Sequence, residues 1–385
     1  MKYLVIAGFL AAQAAALRHV ILNTPVVPDN DVLQRWHHSN LPSSDLVSSV
    51  THAIMAFAPS DNFNSGSTFT PFESIATFRA RFPSTTKILV AIGGWGYNAG
   101  FSAAVLSETS RSTYAQNVAA MLESTGLDGV DIDWEYPGGN GADYKSIPNS
   151  QRADEVTTFP LLIRAIRDAI GNDKILSLAA PGLKRDMMGF TSDTGPAVFD
   201  VVDMVNIMTY DLMNRRDNVT KHHTCIKDSL ETVNNYLGIG MNATKGNLGI
   251  AFYAKYFTTD PSSDCATTPI GCATVLLEDA NGQDTGKSGA VTFETNPEVS
   301  SSSITSSWSK AKSNGLTDED AGGQYYWDRD SQLFWTWDTP ELITRKFTEI
   351  IAATGLGGVM AWSLGEDSID WNALKAINSG VAAAQ

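Results

Sequence analysis

The stretch from Asp128 to Glu135 alternates acidic and large apolar side chains. In an extended strand, successive side chains point to opposite faces. Asp131, Asp133 and Glu135 would then share one face, while a valine, an isoleucine and a tryptophan occupy the other. Three carboxyl groups placed close together cannot all stay ionised, so that protonation of one, or a shared proton, relieves the repulsion. A carboxyl group whose pKa is raised in this way is suited to act as a general acid.

The alternative interpretation of this stretch is a solvated acidic strand at the edge of a sheet. Such a strand rarely carries large apolar residues along its second face. The alternating pattern therefore favours a buried strand whose acidic face lines a reactive site. Asp128 is out of phase with the other three acids, and we expect it to have a structural role, capping or pairing a backbone amide.

The elements that must position these acids are short apolar runs that alternate with longer amphipathic stretches. This alternation is typical of parallel strands connected by helices. We predict an α/β fold, a (β/α)8 TIM barrel, with helices that include 111–124, 157–170 and 341–353, the last capped by Thr339 and beginning with Pro340. The eight predicted strands are 19–23, 51–57, 87–92, 129–134, 175–180, 204–208, 247–252 and 357–362.

In barrels of this kind the active site lies at the carboxyl ends of the strands. Glu135 follows the fourth predicted strand, Tyr210 and Asp211 follow the sixth, and Trp362 ends the eighth. All four residues would therefore lie on the same rim. The alternative architecture, a doubly wound open sheet, usually has a glycine-rich phosphate-binding turn after its first strand, and no such turn follows Asn23.

A long connection separates the seventh strand from the last helix, and it is too long for a loop within a compact domain. We expect a small α+β insertion at residues 256–337, with the barrel made of residues 17–255 and 338–385. Within the insertion, 324–327 and 332–337 are predicted to form a hairpin. The serine-rich run 300–309 is predicted to be a surface loop.

The acidic stretch reads D-x-x-D-x-D-x-E at Asp128, Asp131, Asp133 and Glu135. It resembles the signature of glycoside hydrolase family 18, the chitinases and their relatives. Residues 208–211, Met-Thr-Tyr-Asp, are similar to the M-x-Y-D motif of the same family. The family fold is a barrel, often with an α+β insertion at the place predicted here.

The resemblance implies a secreted, retaining chitinase that hydrolyses β-1,4 links between N-acetylglucosamine units. The carbonyl oxygen of the substrate's own 2-acetamido group would be the nucleophile, giving an oxazolinium ion. Glu135 would act as general acid and base, Asp133 would orient the acetamide, Asp131 would share a proton with Asp133, and Tyr210 would donate to the acetyl carbonyl. The alternatives are an endo-β-N-acetylglucosaminidase acting on N-glycans and a catalytically silent chitin-binding lectin.

Substrate-binding residues are implied by the same resemblance. Trp362 would form the floor under the cleaved sugar, and Asp211 would hydrogen-bond sugar or hold a neighbouring side chain. The flat face of an aromatic ring suits the C–H face of a pyranose. The other substrate-binding candidates are Met208, Trp95, Tyr136 and Tyr253.

Two positions depart from the family pattern. The third-strand motif commonly reads S-x-G-G, whereas Ala91 precedes Gly93 and Gly94 here, so that a hydroxyl group that often supports the buried aspartates is missing. We expect a water molecule or a different neighbour to replace it. Lys255 stands where an arginine is frequent, and the contact of that arginine is not carried over to it.

Composition and charge restrict the partners. The 385 residues carry a formal net charge of -15, which argues against nucleic acid and anionic membranes because both select a basic face. Residues 1–16 combine a basic end, a short apolar stretch and small residues, which predicts a secretory signal peptide. We expect an extracellular monomer that binds chitin or chito-oligosaccharides and needs neither cofactor nor metal.

The three cysteines leave one unpaired. Cys265 and Cys272 lie close together in a turn-rich stretch, which favours a disulfide between them over the other two pairings. Cys225 would then be a free thiol, and the two histidines near it lack the second ligand cluster that a metal site needs. Sequons at Asn218 and Asn242 are open to N-glycosylation in a host that performs it.

Overall fold

The computed structural model describes residues 16–23, 42–66, 69–294 and 302–384. Eight of its strands form a closed barrel. These strands are β1 (Arg18–Asn23), β2 (His52–Ala58), β3 (Lys87–Gly93), β4 (Gly129–Asp133), β5 (Ile175–Ala180), β6 (Met204–Ile207), β7 (Gly246–Ala251) and β13 (Gly358–Trp362). Each pairs in parallel with its neighbours, and β13 closes the barrel between β7 and β1.

The predicted barrel is confirmed, and every predicted strand overlaps an observed one with boundaries that differ by no more than about one residue. Strand alternation divides the apolar side chains into two layers. Val130 and Ile132 of β4 belong to the outer layer, together with helical residues such as Phe159. Leu89 and Met360 belong to a second cluster that fills the barrel interior.

Helices cover the outside of the barrel, and their caps explain where they begin. Helix α4 begins before the predicted residue 111 because Ser107 and Ser110 cap it reciprocally. Thr339 caps α9, and Pro340 is its first residue, as predicted. The helices are α1 (Asn62–Ser65), α2 (Ile75–Arg79), α3 (Ala99–Ala104), α4 (Glu108–Thr125), α5 (Ala153–Ile170), α6 (Gly195–Val201), α7 (Ile226–Gly238), α8 (Ser302–Asn314), α9 (Pro340–Lys346) and α10 (Asn372–Ala383), with a π-helical turn at Phe347–Ala352.

A second, antiparallel sheet lies between β7 and β13 in the chain. Its strands are β8 (Tyr253–Thr258), β9 (Ser288–Thr292), β10 (Leu316–Asp318), β11 (Gly323–Asp328) and β12 (Leu333–Trp337), in the order β10-β11-β12-β8-β9. The predicted hairpin is present as β11 and β12, which pair along their length.

The predicted surface loop at 300–309 is wrong for the residues that the structure describes. Helix α8 begins at Ser302, and Trp308 and Ala311 on it are buried against the second sheet. Ile304, Trp308 and Ala311 recur at helical spacing, and this periodicity outweighs the serine content of the run.

The predicted signal peptide lies outside the described residues, apart from its last residue. Within the described part of the chain, the helices are too short or too polar to cross a membrane.

Candidate active site

A cavity of about 320 Å³ lies at the carboxyl ends of the barrel strands. It collects side chains that are far apart in the sequence, from the ends of β3, β4, β6 and β13 and from the start of β8. Every residue that was predicted to act on the substrate or to bind it lines this cavity, namely Glu135, Asp133, Asp131, Tyr210, Trp362, Asp211, Met208, Trp95, Tyr136 and Tyr253.

The acids of β4 and of the residues just after it form a row from the barrel interior to the cavity. Asp131 is fully buried, Asp133 is 3% exposed and Glu135 is 9% exposed. On the opposite face of the same segment, Trp134 stacks on Phe101 with ring centres 5.3 Å apart. Glu135 is therefore the acid of the row nearest to solvent.

Burial raises the pKa of all three carboxyl groups because the charged form loses its hydration. The pKa of Asp131 is raised to about 6, although two hydrogen bonds act to lower it. Burial raises the pKa of Asp133 well above its usual range, and the charges of Glu135 and Asp131 raise it further. Burial also raises the pKa of Glu135 to about 8, against the effect of a hydrogen bond with Tyr136. Glu135 thus keeps its proton at neutral pH and can donate it to a leaving group.

Two donors on neighbouring strands hold Asp131. Ser177 on β5 lies opposite it in register, and the serine hydroxyl donates to Asp131 Oδ1. Asn206 Nδ2 on β6 donates to the same oxygen over 2.9 Å. Asn206 accepts in turn from Asn247 Nδ2 over 2.8 Å, and Asn247 accepts from Arg18 Nε over 3.1 Å. These five residues form a polar ladder that runs from the amino-terminal end of the barrel to the acid row.

One oxygen of Asp131 and one of Asp133 are buried without a hydrogen-bond partner among the described residues. Such oxygens are unfavourable unless a proton or a ligand group reaches them. Asp133 itself lines the cavity, so that its carboxyl group can accept a hydrogen bond from a bound molecule.

The main chain around Glu135 is fixed by the end of β3 and the loop after it. Asn98 Oδ1 accepts from Glu135 N over 3.0 Å, and the Asn98 amide group donates to the Glu135 carbonyl. Gly94 N donates to Asp133 O over 2.8 Å. Gly93 has a φ of 108°, and a Cβ there would lie 2.3 Å from the Asp133 carbonyl oxygen. The glycines therefore allow the close approach of backbones that fixes the direction of the acids.

Asp211 follows β6, lines the same cavity as the acid row and is held by several groups. It has a positive φ of 55°, and its Oδ1 accepts from the Tyr253 hydroxyl over 2.8 Å and pairs with Lys255 Nζ at 3.0 Å. The buried His223 accepts from the Asp211 backbone N–H, and its ring lies 5.4 Å from that of Tyr253 in a tilted arrangement. Burial raises the pKa of Tyr210 well above its usual range, so that its hydroxyl stays protonated and can donate to a ligand.

Aromatic rings form much of the cavity surface. Trp362 stacks on Phe57, with ring centres 5.5 Å apart. Trp95 is 45% exposed and meets Tyr136 edge to face. The Arg216 guanidinium lies 5.7 Å from the Trp95 ring centre. Accessible aromatic faces beside a protonated carboxyl group suit a carbohydrate whose glycosidic bond is to be cleaved.

Residues 33–367 match the protein family described as Glycosyl hydrolases family 18. The chain belongs to this family. Endochitinase 1 of Metarhizium robertsii is 27% identical over 301 residues, which cover 73% of this chain and 62% of the relative. The chain thus spans about three-fifths of the length of the fungal relatives it matches.

Solved structures of family 18 proteins share the fold. Catalytic domain 2 of the Group II chitinase from Ostrinia furnacalis superposes with a TM-score of 0.72 at 22% identity, covering 96% of this chain and 97% of the other. A glycoside hydrolase family 18 N-acetylglucosaminidase from Paenibacillus barengoltzii superposes with a TM-score of 0.70 at 21% identity, covering 94% of this chain and 99% of the other.

The structure shows which side chains surround Ala91 and Lys255, the two residues that depart from the family 18 pattern. Ala91 lies beside Asp131 in the register of β3 and β4, and the hydroxyl group that it lacks is supplied from the other side by Ser177. Lys255, in place of the frequent arginine, forms the ion pair with Asp211.

Several predicted residues lie away from the cavity. Asp128 Oδ2 accepts from the backbone amide of Ile88 over 2.8 Å, which is the kind of structural contact expected for it. A disulfide joins Cys265 and Cys272, and Cys225 is a buried free thiol.

The sequon residues Asn218 and Asn242 are exposed. In the described part of the chain, no three His, Cys, Asp or Glu side chains are grouped so as to hold a metal ion.

Sequence reasoning missed four residues that shape the site, Asn98, Ser177, Asn206 and Asp186. The first three act through hydrogen bonds to residues of the acid row, and Asp186, 4% exposed, lines the cavity. None belongs to a motif. Ser177 and Asn206 do stand out as polar residues within apolar strand runs, and that was the available signal.

Proposed function

We propose that this protein is a secreted chitinase that hydrolyses β-1,4-linked N-acetylglucosamine polymers with retention of the anomeric configuration. The observation that carries the proposal is the row of Asp131, Asp133 and Glu135, which ends at the cavity in a carboxyl group that burial keeps protonated. The row lies along one strand, whereas ordinary retaining glycosidases place two carboxyl groups on either side of the scissile bond.

The other carboxyl groups that line the described cavity lie beside basic or donor groups. Asp211 pairs with Lys255 at 3.0 Å, and Asp186 lies 3.8 Å from Arg216. Asp284 accepts a backbone amide hydrogen bond over 2.7 Å. As the resemblance to family 18 implies, we assign the role of nucleophile to the substrate itself, through the carbonyl oxygen of its 2-acetamido group.

The proposed reaction has two displacements at the anomeric carbon. In the first, the acetamido oxygen bonds to that carbon, the glycosidic C–O bond breaks, and Glu135 transfers its proton to the leaving oxygen. In the second, Glu135 takes a proton from a water molecule whose oxygen bonds to the anomeric carbon as the bond to the acetamido oxygen breaks. Because each displacement inverts the configuration, the product retains it.

Asp133 and Tyr210 would orient the acetamide for this attack. Asp133 would accept a hydrogen bond from the acetamide N–H, and Tyr210 would donate one to the carbonyl oxygen. A proton shared by Asp131 and Asp133 would move toward Asp131 as positive charge develops on the oxazolinium ion, leaving Asp133 negative beside it.

The identity of the substrate rests on further observations. Trp362, Trp95 and Tyr136 offer aromatic faces to a sugar, and the net charge of -15 does not oppose a neutral polymer. The Metarhizium relative is named an endochitinase and the Ostrinia protein a chitinase. We propose that the protein is exported by the leader at 1–16 and acts as a monomer, with the insertion at 256–337 forming a wall of the cleft.

The test is incubation of the protein with chitohexaose, with products analysed by mass spectrometry and their anomers by NMR immediately after release. Hydrolysis that gives the β-anomer first is expected. The control is Glu135→Gln, and the comparison substrate is a high-mannose glycoprotein. Cleavage of the glycoprotein alone would identify an endo-β-N-acetylglucosaminidase, and binding of chito-oligosaccharides without turnover would identify a lectin.

A further inference from the structure

Three connections meet beside the cavity at the carboxyl ends of the barrel strands. Tyr144 lies between β4 and α5, Glu278 lies between β8 and β9, and Arg215 and Arg216 lie between β6 and α7. The Tyr144 hydroxyl donates to Glu278 Oε1, and Arg215 Nε donates to Glu278 Oε2 over 2.8 Å. We call these four residues the loop clasp.

Arg216 ties the clasp to the main chain of the connection after β4. Its guanidinium carbon lies 3.8 Å from the Tyr144 ring centre, and its two terminal nitrogens donate to the carbonyl oxygens of Asn140 and Gly141 over 2.9 Å and 3.0 Å. Glu278 is 7% exposed. Hydrogen bonds to a carboxylate that is shielded from water are stronger than those of an exposed ion pair, so the clasp is expected to hold the three connections together.

The position of the clasp follows from the strand order. Because β5 lies between β4 and β6, the clasp joins the connections on either side of the one that follows β5. Gly182, Leu183 and Asp186 of that connection line the cavity, and so do Arg215 and Arg216 of the clasp. Through its two arginines, the clasp therefore forms part of the cavity wall beside the connection that follows β5.

We propose that the loop clasp limits the number of sugar units that bind on the β5 side of the cavity, and that it thereby sets the length of the product released from that side. This inference rests on the proposed function. A chain that continued past the clasp would have to separate hydrogen-bonded groups that share a shielded carboxylate, whereas a chain end fits without that separation. Cleavage is thus directed to a fixed distance from an end of the polymer.

The test compares the products that chitohexaose gives with the wild-type protein and with the variants Tyr144→Phe, Tyr144→Ala and Glu278→Gln. The matched control is Glu319→Gln, which changes an exposed acid of the second sheet's connections that pairs with Arg345. We expect one dominant product from the wild type and the control. In the clasp variants we expect the ratio of this product to the others to fall by about threefold or more, since a lost hydrogen bond to a charged group shifts an opening equilibrium at least that far.

Thermal unfolding establishes that each variant is folded, and Tyr144→Phe removes a single oxygen atom if Tyr144→Ala is unstable. An unchanged product ratio in folded clasp variants would overturn the inference and leave the proposed function intact. A broad mixture of products from the wild type would overturn it as well. A wild-type protein that releases no product from chitohexaose would overturn the inference and the proposed function together.

Discussion

Ser177 lies directly opposite Asp131 in the register of β4 and β5, and its hydroxyl donates to the carboxyl group of that aspartate. Ala91 holds the equivalent place on the other neighbouring strand, β3. The hydroxyl group that the resemblance to family 18 predicts on the third strand is thus replaced here by one on the fifth. The charge that Asp131 can carry depends on this donor and on Asn206, because burial disfavours an ionised carboxyl group.

Replacing Ser177 with alanine should lower kcat by roughly tenfold, since a hydrogen bond to a charged group contributes about 1.5 to 3 kcal/mol. Adding Ala91→Ser to this variant should recover part of the loss, because position 91 flanks Asp131 on the opposite side. Steady-state kinetics on chito-oligosaccharides measures both effects, with Ala91→Ser alone as the control. A double variant no better than Ser177→Ala would mean that the serine does not act by supporting Asp131.

Glu135→Gln should lower kcat by roughly 10² to 10⁴-fold, because the amide preserves the shape of the side chain but cannot give a proton. Binding of chito-oligosaccharides should persist with little change in Kd, which calorimetry can measure on the inactive variant. Turnover near the wild-type rate would show that another group is the acid.

Asp133→Asn should reduce kcat by about 100-fold or more, because the variant loses the negative charge that offsets the oxazolinium ion. A thiazoline that mimics this ion should inhibit the wild type strongly and the variant weakly. Inhibition constants and kcat for both proteins give the comparison. If the thiazoline does not inhibit the wild type, a covalent enzyme intermediate becomes the better explanation.

The pH dependence of activity should reflect the pKa of Glu135, which burial raises to about 8. Since the acid must be protonated to react, kcat/KM should be maintained toward pH 8 and fall above it. A basic limb centred near the ordinary carboxyl value of 4.5 would contradict the assignment.

The same shift predicts how stability changes with pH. Between the ordinary value of 4.5 and about 8, folded Glu135 keeps a proton that the unfolded chain has lost, so that rising pH favours unfolding over this range. Glu135→Gln has no such proton. Its Tm should therefore fall less than that of the wild type between pH 5 and pH 8, as thermal unfolding at both pH values can show.

Gly93→Ala should destabilise the protein by about 3 kcal/mol or more and reduce activity, because the new Cβ would meet the Asp133 carbonyl oxygen at 2.3 Å at a positive φ. Gly126→Ala is the control, since Gly126 also has a positive φ but no atom lies within 4 Å of the added Cβ. Its expected cost is about 1 kcal/mol. Denaturant unfolding compares the two, and equal losses would argue against the close contact of β3 and β4.

The barrel could be predicted because the sequence pattern of each strand lies within a few consecutive residues. The run 175–180 is apolar apart from Ser177, lies between Lys174 and Pro181 and coincides with β5. The start of α4 was harder to place because its first turn is polar and its boundary depends on the side chains of Ser107 and Ser110. Helix α8 was not predicted, because its serine-rich composition is typical of a loop and only the spacing of its apolar residues indicates a helix.

The acid row could be predicted for the same reason, since strand alternation is a property of consecutive residues. The side chains that form hydrogen bonds with the row could not be predicted in this way. Asn206 lies 75 residues from Asp131 in the chain, and Asn98 lies 37 residues from Glu135. Contacts of this kind depend on strand register and loop conformation, which a single sequence without motif information at those positions does not specify.

The polar ladder connects the amino-terminal end of the barrel to the acid row beside the cavity. Arg18 begins β1 and Asn247 lies near the start of β7, on the side remote from the cleft, yet both connect to Asp131 through Asn206. Substitutions at this end of the barrel should therefore change the environment of Asp131 without any contact with a ligand in the cavity. Variants designed to raise the stability of the protein should therefore keep Arg18 and Asn247 unchanged.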